Sequence, residues 1–245
     1  MIKKWLFRRL VSFLKMFHIE CRLELPKYST RQIKYHMGNK KLVGAEIGVW
    51  LGENAESILK NLNMKKLYLI DPYKIYDEYN IKEVPRETDL DKAFDDAQDR
   101  LSEYKNKIKW VKKKSEDAVN DLPMLDFVYI DGNHDYKYVK QDMNLYWNKI
   151  KSGGILAGHD IDKPEILQAL AEFIIEHNLK AKKFYRDSDF SLDFLDWVIR
   201  KPENSHISSK VSKRTIFSLE GNGCGKEVCK LDLSNPLPYI QGENI

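Results

Sequence analysis

The stretch LDFVYIDGNHDYKYVKQDMNLYWNKIKSGGILAGHDI, residues 125–161, decides the fold of this 245-residue chain. It begins with an apolar run at 127–130 and ends with a second one at 155–157, with a helix-like segment at 136–150 between them. Parallel strands need a long crossover connection, and that connection is usually a helix. The stretch therefore predicts one β-α-β unit of an α/β domain.

The same alternation of apolar runs and helical segments continues on both sides of this unit. Further strands are predicted at 42–49, 67–70 and 108–112, and further helices at 54–62, 89–104 and 164–177. Two more apolar runs, at 179–185 and 194–200, predict an antiparallel hairpin at the end of the sheet. This order indicates a doubly wound α/β domain over residues 37–201, with a mostly parallel, Rossmann-like sheet of seven strands.

The two ends of the chain differ from this central domain. Residues 1–36 are predicted to form an amphipathic basic helix and a linker, and residues 202–245 an irregular, polar C-terminal extension. Two interpretations of the N-terminal helix stay open: it lies on a membrane surface, or it packs on protein as a lid or dimerisation helix. Its apolar positions are Leu6, Leu10, Leu14 and Phe17, and its basic ones are Lys4, Arg8 and Lys15.

Composition favours one globular domain with appendages and rules out a disordered or fibrous chain. Hydrophobic residues make up 42% of the chain, enough for a sizeable core, and 41 basic against 37 acidic residues leave a net charge of only +4. That balance gives no strong case for nucleic acid as a partner. Three cysteines are too few for a disulfide framework, and basic residues interrupt the N-terminal apolar run, which argues against a signal peptide. A cytoplasmic protein is expected, with membrane contact through residues 1–17 as an option.

The first predicted strand runs into a turn, AEIGVWLGENAES at 45–57, where a parallel sheet would bind a ligand. The turn has only two glycines, Gly48 and Gly52, so it departs from the GxGxxG pattern of dinucleotide-binding proteins, and it carries Glu46. A cofactor with a cationic centre and an amino-acid end needs close backbone approach and a nearby carboxylate. We therefore expect these three residues to bind such a cofactor. The alternative is that Glu46 is a strand-end carboxylate paired with a lysine.

The next two strands also end in polar residues. Asp71 follows the second strand, where a carboxylate can accept hydrogen bonds from ribose hydroxyls. Ser115 and Glu116 follow the third strand, where the edge of an adenine ring is expected. Each of these residues could instead cap a turn or a helix. Their occurrence at successive strand ends, in the order that a ligand crevice requires, favours cofactor binding.

Asp131 and Asp160 end the two strands of the central unit, so their carboxylates are expected to converge on one pocket. Convergent carboxylates repel each other unless a positive charge lies between them. A divalent cation, magnesium or manganese, would satisfy them. His159 is a further candidate ligand, which would shift the metal preference toward manganese, iron or zinc; the alternatives are that it orients Asp160 or binds substrate. His134 is a candidate general base, acting beside Asp131, because imidazole titrates near neutral pH.

These features resemble the class I S-adenosylmethionine-dependent methyltransferases over residues 42–201. They are most similar to the branch that includes macrolide-sugar and aminocoumarin O-methyltransferases and cephalosporin-cluster proteins. The likeness is carried by IDGxHxY, followed through a helix by GG, a strand and HD. It implies S-adenosylmethionine as cofactor, a metal at Asp131 and Asp160 that holds a substrate diol, and His134 as the base. The methyl acceptor would be a hydroxyl of a sugar, a glycan or another small polyol.

Two other functions remain open. One is a nucleoside-binding module without catalysis, which would have no need of Asp131, His134 and Asp160. The other is a hydrolase or oxygenase in which those residues and His159 bind a transition metal directly; it would hold zinc or iron and would not bind S-adenosylmethionine. The partners expected are a small-molecule or glycan acceptor and, through the N-terminal helix, a membrane surface or a second copy of the chain.

Overall fold

A computed structural model describes residues 26–75, 87–177, 179, 196–203, 216–218 and 230–232. The basic helix predicted within residues 1–17 lies outside these ranges, as does most of the polar extension at 202–245. The first strand of the predicted terminal hairpin, at 179–185, is also outside them apart from Leu179.

The described chain alternates helices and strands in the predicted order. The strands are β1 Leu42–Ile47, β2 Met64–Ile70, β3 Ile108–Val111, β4 Leu125–Ile130, β5 Ile150–Gly158, β6 Trp197–Arg200, β7 Ile216–Ser218 and β8 Lys230–Asp232. The helices are α1 Tyr28–Met37, α2 Glu53–Asn61, α3 Glu87–Arg100, α4 Ser115–Ala118, α5 Tyr136–Trp147 and α6 Pro164–Glu176. Short 3₁₀ turns follow α3 and α4, at Ser102–Tyr104 and Val119–Asp121.

The main sheet confirms the doubly wound, mostly parallel topology. Its order is β3-β2-β1-β4-β5-β6, in which β1 to β5 are parallel and β6 runs antiparallel to β5. Strands β2 and β3 are added on one side of β1, and the strands from β4 onward are added on its other side. Sheets of this kind bind ligands at such a switch point, in a crevice at the carboxyl ends of the strands. In the described part of the chain this sheet has six strands rather than the expected seven, and β7 pairs with β8 in a separate hairpin.

Burial on both faces explains why these strands are nearly continuous apolar runs. Residues at alternate positions of β4, such as Phe127 and Val128, belong to different hydrophobic clusters on the two sides of the sheet, and both are fully buried. Helix α6 contributes a largely apolar surface to one cluster through residues such as Leu170 and Phe173. The core therefore fixes the positions of the strands, and polar groups lie at their carboxyl ends.

Helix α1 lies in the segment predicted as a linker. It packs against α2, β5 and β6. Ser29 is buried at its first turn, and its backbone N–H and hydroxyl both donate to Asp196 Oδ2, at 2.9 and 2.6 Å. The helix shows only a weak apolar pattern, because Ile33 is its one fully buried aliphatic residue. Its docking brings the preceding residue, Lys27, to the carboxyl end of β4.

Candidate functional site

Gly48 lets the turn after β1 touch the loop after β4. Its φ of +81° lies in the left-handed region, and a Cβ built on it would stand 2.0 Å from the backbone oxygen of Asp131. No side chain fits between these two backbone segments. The glycine predicted at the cofactor turn is therefore required by the close approach of the strand ends.

Asp71 fixes the conformation of the same turn. Its Oδ2 accepts hydrogen bonds from the backbone N–H groups of Val49 at 2.9 Å and Trp50 at 3.1 Å, and its Oδ1 accepts one from Tyr73 N–H at 2.9 Å. Trp50 and Tyr73 both have positive φ, +50° and +46°. Non-glycine residues with positive φ are often retained where a loop serves a ligand. Asp71 therefore organises the predicted cofactor loop as well as bordering the cavity.

Glu46 lies beneath this turn and is 1% exposed. Its Oε1 accepts a hydrogen bond from Asn54 Nδ2 at 2.9 Å, so its hydrogen-bond partner is an amide and not a lysine. Burial raises the pKa of Glu46 to about 8, although the hydrogen bond from Asn54 and the charge of Lys27 oppose this shift. Gly52 begins α2 with a φ of +74° and faces the side chains of Ala97 and Leu101. Both residues support the turn from behind.

A cavity of about 220 Å³ runs along the carboxyl ends of β1 to β4. Six predicted site residues line it: Gly48, Asp71, Ser115, Glu116, Asp131 and His134. Further lining groups include Trp50, Lys74, Leu90, Asn133, Tyr138 and Asp142. Glu46, Gly52, His159 and Asp160 are not among its lining residues. The structure thus brings four of the six predicted cofactor residues, the predicted base and one of the two central aspartates to a single crevice.

The two central aspartates meet through a pair of histidines. His134 Nε2 lies 3.0 Å from Asp160 Oδ2 and 3.7 Å from Asp131 Oδ1. His159 Nδ1 lies 2.9 Å from Asp160 Oδ1 and 3.9 Å from Asp131 Oδ1. Asp160 itself has a φ of +57°, a strained conformation at the end of β5. Among the described residues, Asp131, His134 and Asp160 can each offer a ligand atom within 4.8 Å of the others.

Two lysines that the sequence analysis did not single out complete this cluster. Lys27 Nζ donates to Tyr129 Oη at 2.8 Å and to Asp131 Oδ2 at 3.3 Å. Lys163 Nζ lies 2.9 Å from Asp160 Oδ2 and 2.7 Å from His134 Nδ1. Lys163 follows Asp160 by three residues and could have been noticed, whereas Lys27 is 104 residues from Asp131 and gave no local signal.

These contacts keep both aspartates in the anionic form. Burial alone would raise the pKa of Asp131, but the nearby imidazole of His134 and the charges of Lys27 and His159 outweigh it and hold the pKa below its ordinary value. For Asp160, burial is likewise outweighed, by His159, Lys163 and His134, and its pKa lies far below the ordinary value. The cluster is therefore a pair of carboxylates compensated by ammonium and imidazole groups.

Comparison with known proteins relates the segment that forms this crevice to methyltransferases. A family model described as a methyltransferase domain matches residues 45–161, which include both central aspartates. A protein of Acanthamoeba polyphaga mimivirus, named only as uncharacterized protein R132, is 25% identical over 146 residues. That alignment covers 55% of this chain and 60% of the viral protein, so the chain spans less than two thirds of that relative.

Three solved structures share the fold. A ribosomal RNA methylase from Streptococcus thermophilus has a TM-score of 0.52 at 13% identity, covering 74% of this chain and 99% of that one. An O-methyltransferase from Bacillus cereus, in complex with SAH, has a TM-score of 0.51 at 10% identity, covering 79% and 90%. The O-methyltransferase NovP has a TM-score of 0.51 at 13% identity, covering 71% and 79%. At 10–13% identity this likeness concerns the fold and not the acceptor.

No helix in the described ranges is both long and apolar enough to cross a bilayer. The family match, the sheet order and the crevice at the strand ends agree with one another and with the expected class, while the narrower O-methyltransferase branch is not distinguished by them. Residues 45–161 match a methyltransferase domain, and the sheet order and the strand-end crevice agree with the fold of the class I S-adenosylmethionine-dependent methyltransferases.

Proposed function

We propose that this chain is an S-adenosylmethionine-dependent O-methyltransferase that methylates a hydroxyl of a sugar, a glycan or another small polyol, with help from a divalent cation. One observation carries the proposal. Asp131, His134 and Asp160 converge at the carboxyl ends of β4 and β5, beside the crevice assigned to the cofactor. A module that only bound a nucleoside would have no use for this group.

The orientation of His134 suits a base for an alcohol. The Lys163 ammonium can only donate, so the nitrogen that it contacts, His134 Nδ1, must carry a lone pair. A neutral ring then has its proton on Nε2, which lies 3.0 Å from Asp160 Oδ2. The negative charge of Asp160 therefore favours the tautomer that carries its proton on Nε2 and its lone pair on Nδ1.

An acceptor hydroxyl can take the place of the Lys163 ammonium. The Lys163 side chain is 41% exposed, so it can move aside without breaking the core. The hydroxyl would donate to His134 Nδ1, and the ring would take its proton while the oxygen attacks the methyl carbon and the sulfonium leaves as a thioether. Holding the oxygen, the methyl group and the sulfur in line is the main contribution of the protein to such a displacement.

The cluster also fits a divalent cation. Asp131 and Asp160 supply anionic oxygens, the ligands that magnesium prefers, while His134 keeps its Nδ1 lone pair for the acceptor proton. His159 Nδ1 lies 2.9 Å from Asp160 Oδ1, so His159 suits the role of orienting Asp160. A cation there would lower the pKa of the acceptor hydroxyl. It would compete with Lys27 and Lys163 for the same carboxylates.

Variants at both parts of the site test this function. We expect Asp131→Asn and Asp160→Asn to reduce methyl transfer to a panel of monosaccharides and nucleotide sugars by at least about 100-fold. Their affinity for S-adenosylhomocysteine, measured by calorimetry, should stay within about threefold of the parent. Asp71→Ala should weaken that affinity at least about tenfold, because the turn after β1 loses two hydrogen bonds and the loop after β2 loses a third.

Asp126→Asn is the matched control, because Asp126 lies at the other end of β4, where it accepts from Val43 N–H and Lys151. Calorimetry with manganese or magnesium should show binding to the parent and weaker binding to Asp160→Asn. If the Asp131 variant methylates an acceptor as fast as the parent with a chelator present, the cation has no role. If the parent does not bind S-adenosylhomocysteine, the donor is wrong.

A further inference from the structure

Asp142 is a buried carboxylate in the crevice that the proposed chemistry does not use. It lies on α5, is 4% exposed and borders the cavity. Its Oδ1 accepts a hydrogen bond from the Ser115 hydroxyl at 2.5 Å. One turn further along α5, Tyr146 Oη donates to the backbone oxygen of Ser115 at 2.8 Å. Helix α5 therefore holds Ser115 by both its side chain and its backbone.

The hydrogen bond decides what Ser115 can offer to a ligand. A hydroxyl has one hydrogen, and in this structure that hydrogen is directed to Asp142. The Ser115 oxygen therefore presents only lone pairs to the cavity. The neighbouring Glu116 carboxylate, which also borders the cavity, is likewise an acceptor.

The cations near this end are engaged elsewhere. Lys113 borders the cavity, but its ammonium pairs with Asp121 at 2.5 Å. Lys114, which also borders the cavity, is not free either. The side chains of Ser115, Glu116 and Asp142 thus form an end of the crevice that favours a ligand group with hydrogens to donate.

We infer that Asp142 is a positioning residue that determines which nucleobase the donor carries, because it keeps the Ser115 hydroxyl as an acceptor and so selects a 6-amino purine over a 6-oxo purine. The inference rests on the proposed donor, S-adenosylmethionine, and is independent of the methyl acceptor. The exocyclic amino group of adenine donates to such oxygens. The carbonyl oxygen of a 6-oxo purine would instead place its lone pairs against those of the Ser115 and Glu116 oxygens. A site that forms a hydrogen bond with its ligand rejects analogues that cannot form that bond.

The ionisation of Asp142 sets the condition of the test. Burial raises the pKa of Asp142 to about 7, a shift that Glu116 increases and the hydrogen bond from Ser115 opposes. Binding is therefore measured well above that pH, where the carboxylate is ionised and can only accept.

The experiment compares S-adenosylhomocysteine with its 6-oxo analogue, S-inosylhomocysteine, by titration calorimetry. We expect the parent to bind the amino form at least about tenfold more tightly. In Asp142→Asn the amide can donate to the Ser115 oxygen, which frees the hydroxyl hydrogen to point into the cavity. The preference for the amino form should then fall to less than about threefold. Asp126→Asn, a carboxylate change at the far end of β4, should keep the parental preference.

Each outcome decides the matter. A folded Asp142→Asn protein that keeps the parental ratio overturns the inference, as does a parent that binds both compounds equally. If Asp142→Asn does not fold, Ser115→Ala removes the same acceptor and must lower the ratio; an unchanged ratio overturns the inference. A parent that binds neither compound refutes the proposed donor itself, and the inference with it.

Discussion

Replacing Gly48 by alanine is expected to destabilise the protein and to disturb the site at once. The added Cβ would lie 2.0 Å from the backbone oxygen of Asp131 and 2.7 Å from the Cα of Gly132. Both atoms belong to backbone, so no flexible side chain can yield. The loop after β4 must move away from the turn after β1, and the carboxylate of Asp131 moves with it.

The expected magnitude has two parts. A non-glycine residue in the left-handed region costs about 1–2 kcal/mol, and overpacking of a well-packed site costs about 1–3 kcal/mol more. The free energy of unfolding, measured by urea denaturation, should therefore fall by about 2–5 kcal/mol. Affinity for S-adenosylhomocysteine should fall as well, because the turn that Asp71 organises contains Gly48.

Gly153→Ala separates the cost of the left-handed conformation from the cost of overpacking. Gly153 has nearly the same φ, +75°, but a Cβ there would meet only the end of the Glu203 side chain, at 3.2 Å. That variant should lose only about 1–2 kcal/mol and keep its ligand affinity. The reasoning is refuted if Gly48→Ala is no less stable than Gly153→Ala, since the close approach of the strand ends would then carry no cost.

Two further predictions concern buried polar groups. Ser29→Ala removes one of the hydrogen bonds that dock α1 on Asp196, so the free energy of unfolding should fall by about 1–2 kcal/mol, and equal stability in urea denaturation would contradict this. The pKa of Glu46 is about 8 in the folded protein, against an ordinary 4.5, so between these values the folded protein holds a proton that the unfolded chain releases. The free energy of unfolding should therefore fall as pH rises from about 5 to 8, by at most about 1.4 kcal/mol per pH unit from this group. Glu46→Gln should flatten this decline in a series of denaturation curves, and an unchanged slope would show that Glu46 does not carry it.

The sheet was predictable because its strands are buried on both faces. Runs such as 127–130 are apolar at every position, so the strands can be located in the sequence without further information. The polar residues that follow these runs mark the strand ends. Predicted site residues at the ends of β1 to β4 line one cavity for the same reason. Topology brings the carboxyl ends of parallel strands together whatever the loop sequences are.

What the sequence did not reveal depends on contacts between distant segments. Helix α1 has little apolar surface, and its docking relies on the pairing of Ser29 with Asp196, 167 residues away. Lys27 reaches Asp131 only because of that docking. Asp142 looked like one more polar residue of a helix, since its burial follows from the packing of α5 against α4. No spacing rule within one segment could have found these pairs.

The docking of α1 bears on how such a protein can be recombined. The family match at 45–161 contains both central carboxylates, but the two ammonium groups that neutralise them, from Lys27 and Lys163, lie outside it, one on each side. A chimera that transplanted only the matched segment would import the anionic half of this centre and leave its counter-ions behind. Anyone grafting this centre into a different scaffold should move residues 26–203 as one piece.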